Sequence, residues 1–266
     1  MITKILPLSL LTSIRLKGEI KLNYIENEVE CINVGKNIIG NGSNLLIKQA
    51  REVYKLSSRF SYIHKDKEIL ITGAATPVAK ILNYCRKNGL SGLEFLTGVP
   101  ATIGGAAFMN AGAFNQEIGP LITYLKVFDF REKTVKVIED VGFHYRCTQI
   151  YGIVLEVAFK LTKDTVESIT KRMRDFIRKR LKNAHIKNTF GSVFKNPKEK
   201  PAGWLIENVG LKGFKKDTAM ISSKHANYIL GSRNTNVDDV LYLIDKAKND
   251  VFKTFNIELE EEVVIL

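Results

Sequence analysis

Apolar positions recur along the chain at two spacings, and the change from one to the other divides it. Up to about Lys160, short apolar runs alternate with glycine-bearing turns, from NIIGNGSNLLI through EILITGAA to the stretch between Gly89 and Gly119. Runs of that length, bounded by Gly and Asn, predict strands joined by turns of close approach. KVFDFREKTVKVI predicts a hairpin around Arg131 to Thr134, and IVLEVAFKL a further strand. One helix interrupts them. Val78, Ile81, Leu82 and Cys85 fall at helical spacing, Thr76 offers a cap, Pro77 suits the first turn and Gly89 ends it.

Beyond Lys160 the spacing becomes helical. Val166, Ile169, Met173, Phe176, Ile177 and Leu181 share one face, with Asp164 and Glu167 able to form a capping arrangement. A second stripe of Val237, Val240, Leu241, Ile244, Ala247 and Val251 follows Asn236, and ELEEEVVIL closes the chain in β-like sequence. The pattern predicts an α+β protein in two domains, residues 1–162 and 163–266, as the length of 266 residues allows.

Composition narrows the class. With 45% hydrophobic and 26% charged residues the chain is neither disordered, collagen-like nor a disulfide scaffold. A formal charge of +12 favours an anionic partner: nucleic acid, an acidic membrane or a phosphorylated small molecule. Cys31, Cys85 and Cys147 form no CxxC pair, and His64, His144, His185 and His225 show no ligand spacing, so no metal is expected and a reducing cytoplasm fits. No apolar run is long enough to span a bilayer. The opening ILPLSLL is broken by a proline and lacks a cleavage site, and reads as mature sequence.

Gly40, Asn41, Gly42, Ser43 and Asn44 place two glycines between apolar pairs, a turn that can offer backbone N–H groups to an anion. A plain hairpin turn has the same composition. The stretch SGLEFLTGVPATIGGAAFMNAGAF puts small residues where a core wants bulk, and that backbone entropy points to close approach of a ligand. The run KRMRDFIRKRLK, with seven cations around an apolar stripe, reads as a solvated helix face, since no nucleic-acid motif accompanies it. His225 reads as a structural histidine, and Trp204, Phe194 and Phe214 as core.

The segments GNGSNLLI, SGLEFLTGVPATIGGAAFMNAGAF, Tyr145-Arg146, GSVFKNP, AGWLIENVGLKG and SSKHANYI, in this order and ending in Glu262-Val263, resemble the UDP-N-acetylenolpyruvoylglucosamine reductases of the shorter type. These flavoenzymes make UDP-N-acetylmuramate for peptidoglycan. The resemblance implies an FAD-binding domain of the vanillyl-alcohol-oxidase type followed by a family-specific substrate domain. Residues 40–44 with Gly98, Thr102, Gly104 and Gly105 would hold the FAD pyrophosphate, and Asn110 and Gly112 would line the flavin channel. Arg146 matches the catalytic arginine, Ser192 the proton-donating serine and Glu262 the catalytic glutamate, while Lys195 and Asn196 match the contacts to UDP. NADPH is the implied reductant, UDP-N-acetylglucosamine enolpyruvate the substrate, a monomer the expected state, and neither nucleic acid nor membrane a partner.

Taken singly, Arg146 reads as a surface pair, Ser192 as a turn hydroxyl and Glu262 as a solvated charge, and only their joint context favours the catalytic roles. Three departures from the family pattern carry expectations of their own. LTSIRLKGEI keeps only Thr12, Arg15 and Gly18 of the usual opening, and the stretch from Gly18 to Gly40 is too short for strand, helix and strand, so the first helix is expected to be missing. Thr189-Phe190 precedes Gly191, and Ala101 follows Pro100. A flavin-poor or inactive nucleotide-binding relative is the alternative reading.

Overall fold

The structure, a computed structural model, describes residues 1–183 and 187–266; His185 lies outside the described residues. The chain forms two compact units, one of Met1–Lys4, Leu22–Asn41 and Glu52–Arg180, the other of Ile5–Lys21, Gly42–Arg51 and Leu181–Leu266. No described helix is long and apolar enough to cross a membrane.

The first unit is built on a five-stranded antiparallel sheet in the order Thr134–Ile138, Ile122–Asp129, Gly152–Lys160, Ile69–Gly73, Ile63–Asp66. The predicted hairpin is there, with Val127 opposite both Lys136 and Val154. Its turn is made by Asp129, whose Oδ1 accepts the N–H groups of Arg131 (2.7 Å) and Glu132 (3.1 Å). The Lys136 ammonium and those N–H groups hold the Asp129 carboxyl down to about 2. The helix Val78–Lys87 buries Val78, Ile81, Leu82 and Cys85, the stripe that its spacing predicts. Thr76 is not its cap: the hydroxyl donates instead to the Tyr62 carbonyl (3.0 Å), and Pro77 takes the cap position.

The helix Val166–Asn183 also starts differently from its expectation. Thr165 caps it, accepting the Ser168 N–H (3.2 Å), and Asp164 is left to accept from the Thr165 N–H and from Arg172. Thr165 wins because its hydroxyl stands three residues before an unsatisfied N–H, the geometry that a cap requires. Met173 and Phe176 pack on the core of the first unit, so the helix stays with that unit to Arg180 although the expected boundary lay at residue 162. Between Gly18 and Gly40 the chain forms the strand Glu19–Ile25 and a single 3-10 helix, Val29–Asn33, in place of the full helix whose absence was expected. That turn buries Cys31, and burial pushes its thiol up to about 12.

In the second unit the helix Val237–Phe255 packs on a three-stranded sheet of Lys215–Lys216, Ala219–Ile221 and Ile229–Gly231. Asn236 caps it through the Asp238 N–H, and Asn256 ends it in the left-handed conformation. Val240, Ile244, Ala247 and Val251 are buried as expected, but Leu243 rather than Leu241 completes the stripe. Trp204 is 45% exposed, leaning on Phe255 with Lys200 over its ring, so it is not core; Phe194 is buried and Phe214 half-buried. Residues near both ends of the chain join this unit because Thr235 donates to the Ile14 carbonyl (2.7 Å) and the Leu266 carbonyl accepts the N–H groups of Lys48 and Gln49.

The Gly-Asn turn is no hairpin. Ile38 bridges to Tyr54, whereas Leu45–Leu46 runs parallel to Val264–Ile265. Gly42 has φ +63, and a Cβ there would stand 1.7 Å from the Leu11 carbonyl oxygen, so only glycine fits.

Candidate active site

Two of the expected cofactor segments meet in the first unit. The Asn41 amide donates to the Pro100 carbonyl (2.8 Å), and a Cβ on Gly40 would lie 2.8 Å from Thr102 Oγ1. Thr102 caps the short helix Ile103–Phe108 by accepting the Gly105 N–H. The N–H of Gly104 is taken by the Ala74 carbonyl, and its missing Cβ, 2.6 Å from that of Ala74, lets the helix seat there. Gly104 and Gly105 thus shape the turn without lending their own N–H groups. Among the described residues no protein acceptor takes the N–H of Gly40, Asn41, Ala101 or Thr102. Four available donors beside a cradle that a Cβ would fill fit a pyrophosphate. Gly98, at φ +84, opens this turn.

Gly112 holds Arg146 directly, and Asn110 orients the Glu117 carboxylate beside it. The Asn110 side chain is buried and fully used: Nδ2 donates to Glu117 Oε2 and to the His144 carbonyl (2.9 Å each), and Oδ1 accepts the Gly119 N–H (3.0 Å). Arg146 has φ +59, donates from Nη2 to the Gly112 carbonyl (2.9 Å), stands 4.0 Å from the Glu117 carboxylate and lies over the Tyr145 ring. A Cβ on Gly112 would come within 2.7 Å of Arg146 Nη1. The guanidinium is therefore mostly buried, with its orientation fixed by a carbonyl and a carboxylate.

In the second unit Ser192 and Glu262 are carried on neighbouring extended segments. The Val193 carbonyl accepts the N–H of Glu262 (2.8 Å), the Lys195 N–H donates to the Glu260 carbonyl (2.9 Å), and Ser192 bridges to Tyr228 on the other side. The Ser192 hydroxyl is half-buried and makes no hydrogen bond to another described residue. Thr189 closes the turn before it by accepting the Gly191 N–H (3.2 Å), so the departure from small residues there supplies a side-chain bond. Asn44 donates to the Glu262 carbonyl (2.9 Å), fixing the glutamate, while Ser43 is half-buried beside it in sequence. Lys195 pairs with Glu260, and Asn196 Oδ1 accepts the N–H of Ala202 at the start of the helix Ala202–Asn208.

Two residues were not singled out by the sequence. Asn227 is buried and grips Phe194 from both sides, accepting its N–H (3.0 Å) and donating to its carbonyl (2.8 Å). Glu117 orients both Asn110 and Arg146. Asn227 lies in SSKHANYI two residues after His225, and a buried Asn between apolar neighbours is the signal that could have found it. His225 packs over Gly203, and Nδ1 accepts the Asn227 N–H (3.3 Å); burial first, with Lys212 adding to it, holds its pKa below the ordinary histidine range. Of the basic run, Arg172 and Arg180 turn inward, to Glu94 and the Thr97 carbonyl, so that face is not wholly solvated.

Residues 31–137 match the model of an FAD binding domain, and residues 182–266 match that of the UDP-N-acetylenolpyruvoylglucosamine reductase C-terminal domain. The reductase of Halalkalibacterium halodurans is 37% identical over 240 residues, covering 86% of this chain and 79% of that one. That of Thermotoga maritima is 34% identical over 273 residues, covering 97% and 96%. The crystal structure of UDP-N-acetylenolpyruvylglucosamine reductase from Thermus caldophilus superposes with a TM-score of 0.87 at 31% identity, over all of this chain and 99% of that one. With both domains matched in order and full-length relatives above 30% identity, the chain belongs to the UDP-N-acetylenolpyruvoylglucosamine reductase family.

Proposed function

We propose that this chain reduces UDP-N-acetylglucosamine enolpyruvate to UDP-N-acetylmuramate in the cytoplasm, with FAD in the first unit and NADPH as reductant, supplying peptidoglycan precursor for the cell wall. The observation that carries the reading is the Ser192 hydroxyl, half-buried and uncommitted, on a segment bonded to that of Glu262. Reducing an enol ether conjugated to a carboxylate requires a hydride, stabilisation of charge on the carboxylate and a proton at the neighbouring carbon. Bound FAD would supply the hydride, which no side chain can.

The N–H groups of Gly40, Asn41, Ala101 and Thr102 would hold the pyrophosphate. Arg146, planar and permanently cationic, stabilises the negative charge that grows on the substrate carboxylate. Glu262 in its protonated form donates to carboxylate oxygens, and Ser192 delivers a proton to carbon as general acid. Lys195 offers a cation to the UDP moiety, and Asn196, whose Oδ1 is used by Ala202, keeps its NH₂ for the same partner. The flavin-poor alternative leans on the short stretch after Gly18, and the Thermus caldophilus reductase, matched over 99% of its length, gives that shortness no weight.

The test separates the two half-reactions by stopped-flow absorbance of the flavin. In Ser192→Ala, reoxidation by the enolpyruvyl substrate should slow about 10² to 10⁴-fold, the usual share of a general acid, while reduction by NADPH is unchanged. A slowed NADPH step with normal reoxidation would show that Ser192 is not the proton donor to carbon.

A further inference from the structure

Glu94 is a carboxylate with 6% of its surface exposed, in the segment that leads into the cofactor turn. Its oxygens accept from Ser91 Oγ (2.9 Å), the Gly92 N–H (2.7 Å) and Arg172 Nε and Nη2 (3.0 and 2.8 Å). Arg172 also reaches Ser91 Oγ and Asp164 Oδ2, so one guanidinium joins three groups. Burial works against the Glu94 charge, but the Gly92 N–H, Arg172 and Ser91 outweigh it and keep the carboxyl below its ordinary range.

From Glu94 the constraint runs straight into the turn. The Glu94 carbonyl accepts both the N–H and the hydroxyl of Thr97 (3.0 and 2.7 Å), and the Leu96 carbonyl accepts the Val99 N–H (2.9 Å). One helical stretch further along, Arg180 Nε donates to the Thr97 carbonyl (3.1 Å), and a Cβ on Gly98 would meet Ile177 at 2.9 Å. The helix Val166–Asn183 thus grips residues 91–98 at both ends of that segment, and Phe176 stacks on Phe114 of the hairpin that follows Gly112. The carboxylate is buried while 39% of the Arg172 side chain is open to solvent, and an ion pair open on one side contributes little to stability.

We propose that Glu94 and Arg172 are positioning residues: a buried carboxylate gripped by two N–H groups of a half-exposed guanidinium, which sets the backbone of the Thr97 to Thr102 turn so that its N–H groups point at the cofactor pyrophosphate. The inference rests on the placement of FAD in the first unit. Outer partners that orient ligating groups tune affinity without touching the ligand.

FAD affinity of the apo-protein, by flavin fluorescence titration, and the visible circular dichroism of bound flavin at saturating FAD report on the turn, with far-UV dichroism as the check on folding. Glu94→Gln should fold, weaken FAD by about tenfold or more, the scale of such outer partners, and change the flavin dichroism. Arg172→Lys keeps the cation, so it folds in either event, and loses the fork, giving a smaller shift of the same kind. Either folded variant with wild-type affinity and an unchanged flavin spectrum overturns the proposal. Gly40→Val, which fills the cradle beside Thr102, separates the two readings. If it loses FAD while Glu94→Gln and Arg172→Lys do not, only the positioning role fails; if it keeps FAD, the cofactor placement fails and this inference with it.

Discussion

Arg146 stands on left-handed backbone and is held through its own side chain, by the Gly112 carbonyl and the neighbouring Glu117 carboxylate. Ser192 and Glu262 are held through main chain, on extended segments whose carbonyls and N–H groups bond one another. The first arrangement fixes a long, flexible cation by what lies at its far end; the second fixes two short-reach groups by where their Cα atoms sit. Precision therefore depends on different neighbours in the two units: on side chains around Arg146, and on whatever keeps the segments of the second unit in register.

The largest expected effect follows from that difference, because register in the second unit hangs on Asn227. Asn227→Ala would leave both the N–H and the carbonyl of buried Phe194 without partners. Each orphaned buried group costs about 1 to 3 kcal/mol, so a loss of about 3 kcal/mol in urea unfolding is expected, together with slow reoxidation of the flavin by substrate. An unchanged urea midpoint would mean that the ladder holds without it. Around Arg146 the reverse pattern is expected. Arg146→Lys keeps charge but loses the planar guanidinium and its bond to the Gly112 carbonyl, and should slow the substrate half-reaction by about 10²-fold, the cost of removing one well-placed donor, with little change in unfolding. If stability fell as far as in Asn227→Ala, the contrast between the units would be gone.

A smaller effect sharpens the same contrast. Glu117→Gln keeps an acceptor for the Asn110 amide and removes the charge 4.0 Å from Arg146. The pair is partly exposed, with 34% of the Glu117 side chain open to solvent, so the change in turnover should stay within about fivefold. A loss as large as that of Arg146→Lys would make the carboxylate, not the Gly112 carbonyl, the main tether.

The same distinction governs how much the sequence could say. Periodicity located the helix over Val78, Ile81, Leu82 and Cys85, the hairpin around Arg131 and the capped helix after Asn236, since each depends on residues close in sequence. Two glycine turns were legible as sites of close approach, but not which N–H groups stay available: the Ala74 carbonyl takes that of Gly104, thirty positions away in the chain. The reading of Gly40 to Asn44 as a possible hairpin failed because Leu45 pairs with Val264, at the other end of the sequence. The Gly112 carbonyl accepts from Arg146, thirty-four positions on, and Asn110 bonds the Glu117 carboxylate beside it, relations that no local pattern carries. Thr165 displaced Asp164 as a helix cap because its hydroxyl meets the Ser168 N–H, while Arg172, about two turns along, takes up the aspartate.

The smallest expected effect is a pH dependence that also divides the units. Burial lowers the pKa of His225 in the second unit, so the unfolded chain, with a histidine near 6.5, takes up a proton first as the pH falls. Its share of stability is complete above about pH 6.5 and is lost as the pH drops through the folded-state value. Glu94 in the first unit behaves with the same sign at lower pH: its carboxyl is held below the ordinary range, so its share is complete above about 4.3 and is lost as acid titrates the folded form. Between pH 7.5 and 5.5 the decline should therefore come from the second unit, and below pH 4.3 the first should add to it. Urea unfolding of the wild type and of His225→Gln at pH 7.5 and 5.5 measures the first step. The variant should start less stable, having lost the contact over Gly203, and should show a shallower decline between the two pH values. An equally steep decline in His225→Gln would assign that step to other groups, leaving His225 as packing alone.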